Sequence, residues 1–198
     1  MAAAVLLSVS LPEKLTPGPR WLFAAIELVL LIPLTFGSPR RHHTEAAAIR
    51  VTSMALIGIV NLANFLSLSF LVHLLLTGGR ANGHELILAA IQIWITNVLI
   101  FGLWYWELDR GGPGARTDPH QGPPDFLFPQ MGTPALASPA WRPNFLDYLY
   151  VSFTNATAFS PTDAMPLTAL VKTLMAAQAL ISLVTVALVA ARAVNILG

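Results

Sequence analysis

The polar turn Ser160-Pro161-Thr162-Asp163 holds the residue types best suited to chemistry in this chain. Two hydroxyls and a carboxylate close together supply side-chain oxygens that can replace water around a cation. Pro161 fixes φ near about −65° and removes one amide. Phe159, just before the turn, offers the opposite property, an apolar ring that can close a passage by dewetting. A third reading is purely structural: Ser160-Pro-Thr-Asp163 is also a capping box with proline at the first helical position. Pro166 would then fall within the second turn, which fits that reading poorly.

A second polar set follows on an apolar run. Gln178, Ser182 and Thr185 recur at i, i+4 and i+7, which places them on one stripe of a helix. Such a stripe is either the wet face of a cavity or a polar seam between helices, and the spacing fits both equally. Two elements must position these residues. A short amphipathic helix runs from Phe145 to about Thr157, and an apolar helix of membrane-spanning length runs from about Leu167 to Leu197. A short aromatic helix that stops at a polar turn and hands over to a span is the layout of a re-entrant pore loop. Non-helical backbone at membrane depth is tolerated only where protein buries it or it lines a water-filled cavity.

The run from Tyr148 to Pro166, Tyr-Leu-Tyr-Val-Ser-Phe-Thr-Asn-Ala-Thr-Ala-Phe-Ser-Pro-Thr-Asp-Ala-Met-Pro, resembles the pore helix and filter of the potassium-channel superfamily. Ser152, Phe153 and Thr154 match the pore helix, and Asp163 and Pro166 keep the Asp-x-x-Pro spacing. The segment also looks like that of an uncharacterised bacterial membrane-protein family with the same degenerate pore-like stretch. The resemblance covers about fifty residues, Asn144 to Asn195. It implies a homotetramer with the filter on Ala158, Phe159, Ser160, Pro161 and Thr162, and Asp163 behind or beside it. Neither filter glycine is present. Those glycines let the backbone visit conformations that a Cβ disfavours, so a potassium-type ladder of carbonyls is not expected. Four copies of Asp163 with Ser160 and Thr162 would instead form a wider, weakly cation-preferring mouth. The family's aspartate is usually bonded to a pore-helix aromatic, a role for which Tyr148 and Tyr150 are the candidates.

Composition agrees with the membrane class. Of 198 residues, 55% are hydrophobic and 11% charged, against roughly a quarter charged in soluble chains. The net charge of +1 gives no reason to expect a nucleic-acid partner. The absence of cysteine excludes disulfides and thiolate chemistry. No Ser/His/Asp constellation, paired intramembrane carboxylates or phosphate loop points to an enzyme, and no cofactor or metal is expected.

Four membrane helices are expected. Trp21–Phe36 is short, with Glu27 and Pro33 inside it. Thr44–Thr77 carries Asn61 and Asn64 on one face, directed into the bundle. Leu86–Leu108 ends in Trp104-Tyr-Trp106, an anchor at headgroup level. The helix to Leu197 is the last. Between the third and the pore helix, 109–143 is rich in proline and glycine, either an ordered cap or a mobile turret that Phe126, Phe128 and Trp141 can pack down. The divisions are 1–83 for the N-terminal helices and 84–198 for a two-helix pore module. In the orientation that the resemblance implies, Arg40, Arg41 and Arg50 face outside, and positive-inside counting leans slightly against it.

The expectation is an all-α integral membrane protein, four membrane helices plus a re-entrant pore helix, assembled as a channel-like tetramer. Its partners are the lipid bilayer, its own copies and inorganic ions, and its place is a bacterial inner membrane. The alternative is a non-conducting membrane protein that keeps the channel fold for a structural, sensing or partner-binding role.

Overall fold

The chain is built mainly from helices in a computed structural model that describes residues 43–77, 83–117, 122–158 and 164–197. The helices are α1 (His43–Leu76), α2 (Gly83–Leu108), a four-residue α3 (Pro129–Gly132), α4 (Phe145–Ala158) and α5 (Ala169–Leu197). Two short strands, β1 (Phe126–Leu127) and β2 (Met165–Pro166), complete it. Within the long helices, Arg50–Leu76, His84–Gly111 and Ala169–Ala191 are 27, 28 and 23 residues of apolar sequence. Each exceeds the ~20 residues that cross a bilayer, so three helices are long and apolar enough to span a membrane. The expected first span, Trp21–Phe36 with Glu27, lies outside the described residues.

The chain forms two compact units, one reaching Asn97 and taking up again at Ile181, the other Val98–Leu180. In the first, Leu68 and Leu71 of α1 meet Leu86, Ala89, Ala90 and Ile93 of α2, with Ile181, Leu188 and Val189 of α5 packed against them. Asn64 is buried in this unit and donates its amide to the Ile93 carbonyl at 3.3 Å. The opposite face of α1 leaves Ile59, Leu62, Phe65, Leu66 and Phe70 exposed. That stripe is costly in water and compatible with lipid tails. Ser67 and Ser69 satisfy their hydroxyls on carbonyls one turn back, at 3.0 and 2.9 Å, which suits an apolar surrounding.

The second unit is organised by a strap whose described residues, 109–117 and 122–143, return to the end of α2. Directly after α2, Arg110, Gly111 and Gly112 have φ of 52°, 80° and 101°, the left-handed region that reverses the chain. The strap then pairs β1 with β2, antiparallel, Phe126 against Pro166 and Leu127 against Met165. Leu167 extends the register by donating its N–H to the Asp125 carbonyl at 2.8 Å. Phe126 and Phe128 are buried, and their rings meet Tyr148 at 5.9 and 5.3 Å between centroids, with Trp141 against Phe128 at 5.8 Å.

Two backbones approach closely at Gly102 of α2, where an added Cβ would stand 3.2 Å from the Leu149 Cα of α4. The residues of the capping-box reading, Ser160-Pro-Thr-Asp163, lie outside the described ones. After them Met165–Pro166 is extended, and α5 begins at Ala169, its first turn closing from the Lys172 N–H to the Thr168 carbonyl at 3.1 Å.

Candidate functional site

The site is built around α4. Asn144 caps it, accepting the Leu146 N–H on its side-chain oxygen at 2.8 Å, while Asp147 accepts the Asn144 N–H at 2.7 Å. This reciprocal pair satisfies two amides at the helix start and sets a negative charge at the positive end of its dipole. From there Tyr148, Ser152 and Asn155 follow at i, i+4 and i+7, all buried, so that α4 turns a polar stripe inward. Leu146 and Tyr150 lie on the exposed side.

Each member of the stripe has a fixed partner. Tyr148 donates to the Asp109 carboxylate at 2.6 Å, and Ser152 donates to the Val98 carbonyl at 2.6 Å. Asn155 donates to the Met175 carbonyl at 2.9 Å and to the Gln178 side-chain oxygen at 2.8 Å. Gln178 is the hub. Its oxygen also accepts the Tyr105 hydroxyl at 2.7 Å, and its amide donates to the carbonyl and the hydroxyl of Ser152 at 3.0 and 2.6 Å. One side chain thereby joins α2, α4 and α5 with its donors and acceptor used. In a low dielectric such a satisfied network is rigid, and a broken one is costly.

At the N-terminal end of α4 the network becomes charged. Asp109 is fully buried and accepts from Tyr148 and from the N–H groups of Asp125 and Phe126, at 2.8 and 3.3 Å. The Arg116 guanidinium stacks 4.3 Å from the Trp106 ring centre and 5.1 Å from that of Tyr148. It donates to the carbonyls of Trp106 and Asp109, at 2.7 and 3.0 Å. Burial pushes the Arg116 guanidinium below its ordinary value, and the nearby Tyr148, Asp109 and Glu107 oppose that shift.

The bonds also set how α4 lies on α2. Asp109 is at the end of the His84–Gly111 stretch and Val98 near its middle, so the stripe of α4 runs from the end of α2 back along it. By β2 the chain has returned to the strap, whose Asp125 N–H is itself bonded to Asp109.

Ala158 is the last residue of α4, while Phe159, Ser160, Pro161, Thr162 and Asp163 lie outside the described residues. Gln178, Ser182 and Thr185 are all buried within one chain. There the stripe is a seam: Gln178 serves the hub, Ser182 accepts the Asn97 amide at 3.3 Å, and Thr185 returns its hydroxyl to the Ile181 carbonyl at 2.7 Å. Tyr148, one of two candidates to bond Asp163, gives its single hydroxyl proton to Asp109; Asp163 itself lies outside the described residues. Sequence reasoning missed Asp109 and Asn155 and took Tyr105 only as part of an aromatic anchor, although the 148, 152, 155 spacing carries a helical stripe. Among the described residues no group of three His, Asp and Glu side chains can hold a metal ion. No family model, curated protein or solved structure matches the chain.

Proposed function

We propose that the chain is a potassium-channel-like membrane pore with a constriction of a different type, weakly cation-preferring or non-selective. One observation carries this reading. A 14-residue helix with a buried polar stripe descends beside a span-length helix, and the chain is back at the outer strap by Met165. In this reading the segment between Ala158 and Ala164 is the re-entrant turn, and the constriction is assigned to the oxygens of Ser160, Thr162 and Asp163 and the ring of Phe159. Four copies around one axis would bring four such turns together. The face of α5 turned away from its own chain is apolar, with Leu180, Leu183, Val184 and Val186 exposed. That face, rather than the sealed stripe of Gln178, would border the path below the constriction.

A non-conducting role is the second reading, favoured by that same sealing, since no polar side chain of the stripe is left to contact water. Flux through reconstituted liposomes separates the two. Cation flux that falls with Asp163→Asn and changes selectivity with Ser160→Ala or Thr162→Ala supports the pore. Impermeable particles with four copies support the second reading.

A further inference from the structure

We propose that the strap carries an anion site for a phosphate group, in the pocket between Arg110 and Arg142. The pocket has a volume of ≈ 300 Å³, and its walls include both arginines with Gln130, Met131, Trp141 and Pro143. Among the described residues no acidic one lines it. Arg142 donates only to the neighbouring Trp141 carbonyl, at 2.8 Å, and the Arg110 guanidinium reaches the Met131 sulfur at 3.4 Å, a weak acceptor. The Arg110 Nε is buried with no hydrogen-bond partner, as is the Gln130 Oε1. Two guanidinium groups with open donors and no carboxylate in the lining are a phosphate's complement, because planar forks match its oxygens.

The backbone adds an independent argument. Arg110 sits at φ 52°, ψ 29°, where a Cβ is strained, while its two successors in the same region are glycines. Glycine would serve the turn with less strain, and the Arg110 N–H bond to Asp125 at 2.9 Å needs no side chain. What glycine cannot supply is the guanidinium, so the strained position points to the use of the side chain. Depth names the sources. Arg110 falls at the end of the His84–Gly111 stretch, beyond Trp104 and Trp106, the level of lipid headgroups. A phosphate there belongs either to a lipid, its stem against Trp141 and Met131, or to the aqueous phase.

The test uses the full chain in nanodiscs. Native mass spectrometry counts phosphatidylglycerol retained over phosphatidylcholine, and inorganic phosphate is titrated in phosphatidylcholine discs by Trp fluorescence, with Trp141→Phe as control. The wild type is expected to bind, and Arg142→Gln and Arg110→Gly each to weaken binding by about tenfold. Arg110→Gly should do so without lowering Tm, because it relieves the backbone. Lipid retention without a phosphate response assigns the headgroup, and a phosphate response without anionic lipid assigns the free anion. Equal retention of both lipids by the wild type with no phosphate response overturns the proposal, as does retention unchanged in both variants.

Discussion

Tyr148 holds the buried carboxylate of Asp109 at 2.6 Å, and this bond ties the short helix α4 to the point where the strap leaves α2. Asp109 keeps two other donors, the N–H groups of Asp125 and Phe126. Tyr148→Phe therefore leaves the carboxylate short of one donor and not bare. A loss of about 1–3 kcal/mol is expected, read as a lower Tm in detergent. Asp109→Ala strands three donors at once and should cost more than the tyrosine substitution.

Gln178 makes four side-chain bonds to three partners, Tyr105, Asn155 and Ser152. Gln178→Leu keeps the bulk and removes all four, at an expected cost of about 2–4 kcal/mol. Asn155→Leu loses part of the same network, so the double variant should be less destabilised than the two singles together. Denaturation in mixed micelles of the four proteins measures the coupling, and strict additivity would show that the hub does not act as a unit.

The long described helices were legible because apolar runs and turn residues mark them. Phe145 opens α4 and Leu108 closes α2 where the sequence places them, and α5 begins two residues after the expected Leu167. The pairing of β1 with β2 was not legible, since two-residue strands carry no periodicity. Nor was the partner of Tyr148. A lone Asp109 at the edge of a proline-rich connector reads as solvated until the strap folds over it. The stripe of Gln178, Ser182 and Thr185 was visible from spacing, but spacing cannot say whether water or another helix lies opposite.

Gly102 allows α4 to lie against α2. The nearest atom to an added Cβ is backbone, the Leu149 Cα at 3.2 Å, followed by its Cδ1 at 3.3 Å. Gly102→Ala should cost about 1–3 kcal/mol by overpacking, and Leu149→Ala should restore only part, because the backbone contact stays. Full rescue in thermal unfolding would mean that the side chain alone sets the approach.

Phe126 anchors the strap. It is fully buried, touches the rings of Tyr105 at 5.1 Å and Tyr148 at 5.9 Å, and pairs with Pro166. Phe126→Ala should cost about 3–5 kcal/mol and loosen β2, which follows Asp163 by two residues in the sequence. In the pore reading ion selectivity then changes even though no turn residue is altered. Unchanged flux ratios in a folded variant would separate the strap from the turn.

The two faces of α5 give the sharpest contrast. Ser182 and Thr185 are sealed in the chain, and the Thr185 hydroxyl serves only its own helix at Ile181. Thr185→Val is expected to change stability by less than about 1 kcal/mol and leave flux unaltered, while Ser182→Ala removes the acceptor of the Asn97 amide. Leu183 and Val184 point away from the chain. If that outward face borders the path, Val184→Ser or Leu183→Ser wets an apolar passage and raises flux several-fold by opposing dewetting. The liposome assay on these four variants decides between the faces. Flux that responds to Thr185 and ignores Val184 would turn the helix around and return the polar stripe to the water side.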